Sequence, residues 1–146
     1  MKLNIFSARL FFIILLSFSC MAVADTQNCI EKNINVCDIA KAYANRISAE
    51  LPKTIGDITF TSIEANGKQI ISTYNVNSDL KDISKFTKFT EEDVKENQKK
   101  MVYRIVCGNK NSSSLLDDLG LTIIYSFKFK DGSTNKIVVS SCKNQN

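Results

Sequence analysis

Hydrophobic and polar positions alternate along this chain with two different periods, and the switches between them outline its elements. Val36, Ile39, Ala40, Tyr43, Ala44, Ile47 and Leu51 recur at spacings of three and four, which is one face of a helix of about four turns. Asn35 is placed to cap its start, with Asp38 three residues on in a capping-box-like arrangement, and Pro52 ends it. The period then shortens to two. Ile58 to Ala65 and Gln69 to Val76 are β-rich runs joined through Asn66-Gly67, a pair suited to a type I′ hairpin turn. Ile70, Tyr74 and Val76 share one face of the second run.

Residues 78–89 are polar with scattered Ile and Phe and read as a loop or a short irregular helix. Thr90 followed by Glu91, Glu92 and Asp93 sets a hydroxyl cap and acids at the positive end of a second helix. Val94, Met101, Val102, Ile105 and Val106 form its apolar stripe, and Gly108 suits a left-handed C-cap. Ser112 to Ser114 could cap a further short helix, Leu115 to Leu119, closed by Gly120. Leu121 to Phe129 alternates most cleanly of all, Asp131-Gly132 turns the chain, and Ile137 to Cys142 returns as the last strand. The order α-β-β-α-(α)-β-β predicts an α+β domain. Two hairpins form an antiparallel sheet of about four strands, with two main helices packed on one face.

One apolar run obeys neither period. Leu10 to Phe18 is continuous, follows Lys2 and Arg9, and leads to Ala22-Val23-Ala24, a small-x-small cleavage site. Residues 1–24 therefore read as a secretory signal peptide, and 25–146 as a single exported domain. The run is short for a spanning helix, which needs about 20 apolar residues. Phe18 beside Cys20 fits a lipoprotein signal poorly. The expected location is the bacterial periplasm or the exterior, with no stable membrane span after cleavage.

Export changes the meaning of the cysteines. Cys29, Cys37, Cys107 and Cys142 remain after cleavage, an even number in an oxidising compartment, and read as two disulfides. Of the three pairings, Cys29–Cys37 and Cys107–Cys142 fit the predicted elements. No C-x-x-C spacing and no histidine occurs, so no metal site is expected. Without Lys2 and Arg9 the formal charge falls from +4 to +2, too little to point to nucleic acid.

Candidate chemistry is sparse. The absence of histidine removes the usual general base and the Ser-His and Cys-His nucleophile pairs. Asp117 and Asp118 are adjacent and diverge on a helix. Glu91, Glu92 and Asp93 read as a solvated first turn. No catalytic residue and no cofactor is assigned. Phe86 and Phe89, interleaved with Lys85 and Lys88, are the one hint of a partner-binding surface: an anchor flanked by steering charges, or, in the reading preferred, two rings tucked under the sheet edge. Asn111-Ser112-Ser113 matches a glycosylation acceptor only in a eukaryotic chain. The expected function is a non-enzymatic binding protein acting on a protein partner, as an accessory or chaperone-like factor or as an inhibitor or immunity protein. The alternatives are an exported hydrolase or toxin working with carboxylates alone, and a small-ligand carrier.

Overall fold

The computed structural model describes residues 28–143. The proposed signal segment, residues 1–24, lies outside the described residues. Eleven elements follow one another within them: β1 (Ile30–Glu31), β2 (Ile34–Asn35), α1 (Val36–Ser48), β3 (Lys53–Ile55), β4 (Ile58–Asn66), β5 (Gln69–Val76), α2 (Leu80–Thr87), α3 (Glu91–Gly108), α4 (Lys110–Asp117), β6 (Thr122–Phe129) and β7 (Thr134–Val139). β1 and β2 form a small ribbon, and the other five strands make one sheet in the order β3-β4-β5-β6-β7.

The α+β class holds, but the sheet is not the four-stranded antiparallel one expected. It has five strands and is mixed, because β5 and β6 run parallel, with Ile70 beside Ile123 and Val76 beside Phe129. The reason lies in the connection. Strands of eight residues span about 26 Å, and α3, at 18 residues, spans about 27 Å. One helix therefore carries the chain back over the whole sheet, so β6 starts at the end where β5 started. The added strand β3 pairs with β4 across Gly56-Asp57, with Ile55 opposite Ile58 and Gly56 at φ +57°. The polar stretch after β5 contains the regular helix α2.

Local signals were shifted in several places. The β4–β5 turn is Gly67-Lys68, since Asn66 pairs with Gln69; only Gly67 has a positive φ, the II′ pattern rather than I′. Gly108 does not cap α3 in the left-handed region. It is the helix's last residue, and Asn109 is extended and starts α4 at once, its side chain accepting from the backbone N–H groups of Asn111 and Ser112. The last strand begins at Thr134, three residues earlier than expected, which leaves Cys142 beyond its end. Two caps are as read. Asn35 accepts from Asp38 N, and Thr90 and Asp93 form a complete capping box.

The core is one layer between the helices and one face of the sheet. Ile63, Ile70, Val76, Ile123, Phe127, Phe129, Ile137 and Val139 point from the strands toward Val36, Ala40 and Ala44 of α1, Leu80 of α2, Val102 and Val106 of α3, and Leu116 of α4. Along β4 the inward residues are Ile58, Phe60, Ile63 and Ala65. A register shift between Phe60 and Ser62 absorbs the extra residue and returns Ile63 to the helical face. The opposite face is rich in hydroxyls, with Thr59, Ser62, Thr73, Ser126 and Thr134 on it, apart from the in-register row Ile71, Ile124 and Val138.

Two disulfides close the ends of the helical layer. Cys29–Cys37 fastens the β1–β2 ribbon to the first turn of α1, and Cys107–Cys142 fastens the last turn of α3 to the chain after β7. Asp117 holds the same tail, accepting from Ser141 Oγ at 2.7 Å and Cys142 N at 3.0 Å.

Candidate functional site: an aromatic trough between two helices

The helices do not roof the sheet evenly. α1 rests on β4 and reaches β5, while α3 rests on β7. β4 and β7 are three strand spacings apart, about 14 Å, whereas helices in direct contact lie about 8–10 Å apart. A shallow trough is left over the middle of β5 and β6, where Tyr74 and Tyr125 are half-buried while Ile70, Ile123 and Phe127 around them are buried.

Its floor is aromatic. Phe60, Tyr74 and Phe127 sit in register on β4, β5 and β6. Their rings stack, with centroids 4.6 Å apart for Phe60–Tyr74 and 5.0 Å for Tyr74–Phe127. Tyr125, one step along β6, stacks on Tyr74 at 5.6 Å. Phe127 is buried, but Phe60, Tyr74 and Tyr125 are only half-buried. Beside Phe60 and Tyr74 a cavity of about 240 Å³ opens, lined also by Lys53, Ile55 and Ile58.

The walls come from the flanks of the two helices. On α3, Tyr103 donates from its hydroxyl to the Val138 carbonyl, and Cys107 binds Cys142; this side faces the outer edge of the sheet. Met101 and Ile105 lie nearly half a turn round from that side, on the inner flank of the helix. They are 45% and 58% exposed, so two of the five residues of the expected apolar stripe of α3 are not core but trough wall. On α1 the facing residue is Tyr43, close enough to Tyr74 and Tyr125 for the phenols to oppose one another's ionisation.

Partial burial sets the state of the phenols on this face. Burial, with Tyr43 adding to it, pushes the Tyr125 phenol up to about 12. Burial raises Tyr74 further, against a hydrogen bond from Ser72, and also raises Tyr43. These phenols stay neutral at ordinary pH and act as apolar rings with a polar edge. Carboxyl chemistry has no counterpart here. The displaced carboxyl groups among the described residues are all displaced downward: Asp93 by Thr90, Asp117 by Cys142 N and Ser141, Asp131 by Ser133, and Glu31 by Lys68 at 2.6 Å. Each is held ionised by a structural partner, the reverse of a general acid.

The residues first singled out lie elsewhere. Phe86 is on α2 and 90% exposed, and Phe89, just before α3, is 51% exposed. Neither ring is tucked under the sheet edge. α2 is held by the buried Leu80, with Ile83 packed beside it, and Phe86, six residues on, falls on its outer side. Lys85 lies 3.9 Å from Asp82 in an exposed pair, and Lys88 is the left-handed cap of α2. The trough escaped the sequence reading because Tyr74, Tyr125, Met101 and Ile105 all obey core periodicity.

No family model and no curated protein sequence matches the chain. Solved structures do. The pilotin EpsS of the Vibrio vulnificus type 2 secretion system superposes with a TM-score of 0.57 at 17% identity, over 75% of this chain and 94% of that one. The pilotin AspS of the Vibrio cholerae type II secretion system does so with a TM-score of 0.53 at 20% identity, over 75% and 91%. The chain shares the fold of these pilotins. A protein of Pseudomonas aeruginosa described as secreted has the same fold, with a TM-score of 0.57 at 20% identity over 74% and 93%. None of the three is described as an enzyme. Among the described residues no helix is long and apolar enough to cross a membrane.

Proposed function

We propose that this protein is an exported, non-enzymatic accessory factor of a bacterial type 2 secretion system, acting in the periplasm as a pilotin does by binding a protein of that apparatus. The observation that carries this reading is the trough: stacked half-exposed rings on its floor and exposed Met101 and Ile105 on its wall. A monomeric domain gains nothing from leaving such residues wet, and a partner's apolar side chains would gain from entering. The shared fold of two pilotins supplies the biological setting.

The trough also favours one shape of partner. β5 and β6 are both paired on both sides, so an extended segment laid between the helices would find no strand edge to bond. An amphipathic helix brings its own backbone hydrogen bonds and offers one row of large side chains. The exposed Phe86 and Phe89 are a second, smaller contact surface at the α2–α3 corner.

Deletion of the gene in its source bacterium tests the role. Release of type 2 substrates into the medium is expected to fall and to be restored by the wild-type gene. The Met101→Glu/Ile105→Glu double variant, with unchanged circular dichroism and Tm, is expected not to restore it. Normal secretion in the deletion strain would overturn the reading.

A further inference from the structure

A second concavity lies at the end of the sheet where β5 and β6 exit. It has a volume of about 580 Å³ and is lined by Asn75, Val76, Asn77, Lys128, Phe129 and Lys130. The strand register accounts for this lining. Asn75 lies beside Lys128, and Val76 beside Phe129. Val76 and Phe129 turn their side chains into the core, so Asn75 and Lys128 point to the face away from the helices. Asn77 and Lys130 follow at the strand exits. Two amides therefore stand on one chain segment and two ammonium groups on the next, about 5 Å across.

Lys136 on β7 extends the positive charge. It pairs with Ser126, one outward position before Lys128, so the two lysines are diagonal neighbours on this face. Lys128, Lys130 and Lys136 are exposed, and none has an ion-pair partner among the described residues. The acids nearby are engaged or lie elsewhere. Asp57 accepts from Ser78 Oγ at 3.1 Å, and Asp131 accepts from Leu80 N and Ser133 Oγ. Asp79 is the N-cap residue of α2, which packs on the helical face through Leu80. Glu64 shares the outer face, but it is two strands over and four residues back, about 16 Å from Lys128. Gathered ammonium groups repel one another, and a bound anion relieves that repulsion.

The lining narrows the kind of anion. Phosphate sites are commonly built from free backbone N–H groups. Here β5 and β6 are inner strands, and the N–H groups of Asn77 and Lys130 are given to the carbonyls of Asp57 and Ser78. Side chains alone are on offer. Amides both donate and accept, as sugar hydroxyls do, and ammonium groups pair with a carboxylate. The hydroxyls of Thr59 and Thr134 flank Asn75 and Lys128 in the same row. The apolar row Ile71, Ile124 and Val138 is four residues away along the strands, about 13 Å, so an acyl chain finds no foothold here.

We infer that this cleft binds an acidic saccharide, a sugar whose carboxylate meets Lys128 and Lys130 and whose hydroxyls meet Asn75 and Asn77. It lies on the opposite face from the trough and does not rest on the trough's role.

The test is an NMR titration of the isotope-labelled protein, both disulfides intact, with D-glucuronate, D-glucose and inorganic phosphate as probes. D-Glucuronate is expected to shift the amide signals of Asn75, Asn77, Lys128 and Lys130 saturably, and to bind at least about tenfold more tightly than D-glucose or phosphate. Lys128→Gln/Lys130→Gln is expected to lose that advantage with an unchanged Tm. Met101→Glu/Ile105→Glu, which alters the trough, is expected to keep it. No saturable shift, shifts centred elsewhere, equal binding of D-glucose, or phosphate binding as tightly as D-glucuronate would each overturn the inference. None of these outcomes bears on the trough, whose role in secretion is judged by the deletion strain.

Discussion

Tyr74 and Tyr125 show how far one side chain's environment departs from what its position in a strand announces. Both follow the alternation of a core strand, and both contribute ring area to the helical face. Yet each keeps an edge toward the trough, and burial makes ionisation costly for both. The sign of the consequence follows from linkage. Tyrosine in an unfolded chain titrates near about 10, and in this fold Tyr125 does so at about 12. The stability gained by keeping the phenols neutral is whole below about pH 10 and drains away as the pH rises through about 12. Urea midpoints of the wild type should therefore fall steeply between about pH 10 and about pH 12. The Tyr74→Phe/Tyr125→Phe variant keeps the rings and loses the titration, so its midpoint should fall less over the same range. Parallel falls would show that these phenols do not carry the effect. The titration depends on α1 lying over the sheet, where Tyr43 approaches, and no pattern in β5 or β6 encodes that.

Among the elements, α2 is the clearest case of a helix that the chain's own signals left undecided. Its N-cap residue, Asp79, makes no side-chain capping bond. Asp131, from the β6–β7 turn, accepts from Leu80 N at 3.1 Å and from Ser133 N at 2.9 Å, so a residue 51 positions away serves as the cap. Capping rules that look three residues ahead cannot find such a partner. The helix rests on one buried residue: Leu80 is 1% exposed and Phe86 is 90% exposed. Leu80→Ala is expected to cost about 2–5 kcal/mol by emptying a core position, whereas Phe86→Ala should change stability by less than about 0.5 kcal/mol. Denaturant melts of the two variants distinguish them, and a large loss for Phe86→Ala would mean that its ring is packed after all. The same contrast runs through α3. The apolar stripe correctly located Val102 and Val106 in the core, but it also swept in Met101 and Ile105, which face the trough. A stripe wider than the surface available to cover it is a readable sign of a second partner. β4 holds a similar sign, since its inward residues are spaced two, three and two apart, and the three marks the bulge.

For the whole molecule, the two covalent ties differ in reach. Cys29–Cys37 spans 8 residues and Cys107–Cys142 spans 35, closing α4, β6 and β7 into one loop. On the loop-entropy model the first contributes about 2.5 kcal/mol and the second about 4 kcal/mol. Cys107→Ser/Cys142→Ser should therefore lower the unfolding midpoint more than Cys29→Ser/Cys37→Ser does. The reverse order would show that the ribbon before α1 matters more than the clasp on α3. That clasp also holds one wall of the trough, so its loss should weaken partner binding as well as stability. Of the three possible disulfide pairings the sequence favoured the one that forms. By itself it determined the helices α1 and α3 with their N-caps, the β4–β5 and β6–β7 hairpins and the identity of most inward residues. These depend on neighbours within a few residues or on period, and both are local. Only the tertiary structure decided that the hairpins meet in parallel, because that depends on the length of α3 matching the length of the strands. It alone decided that α1 and α3 stand three strands apart, which turns four residues of core character into the floor and wall of a binding trough.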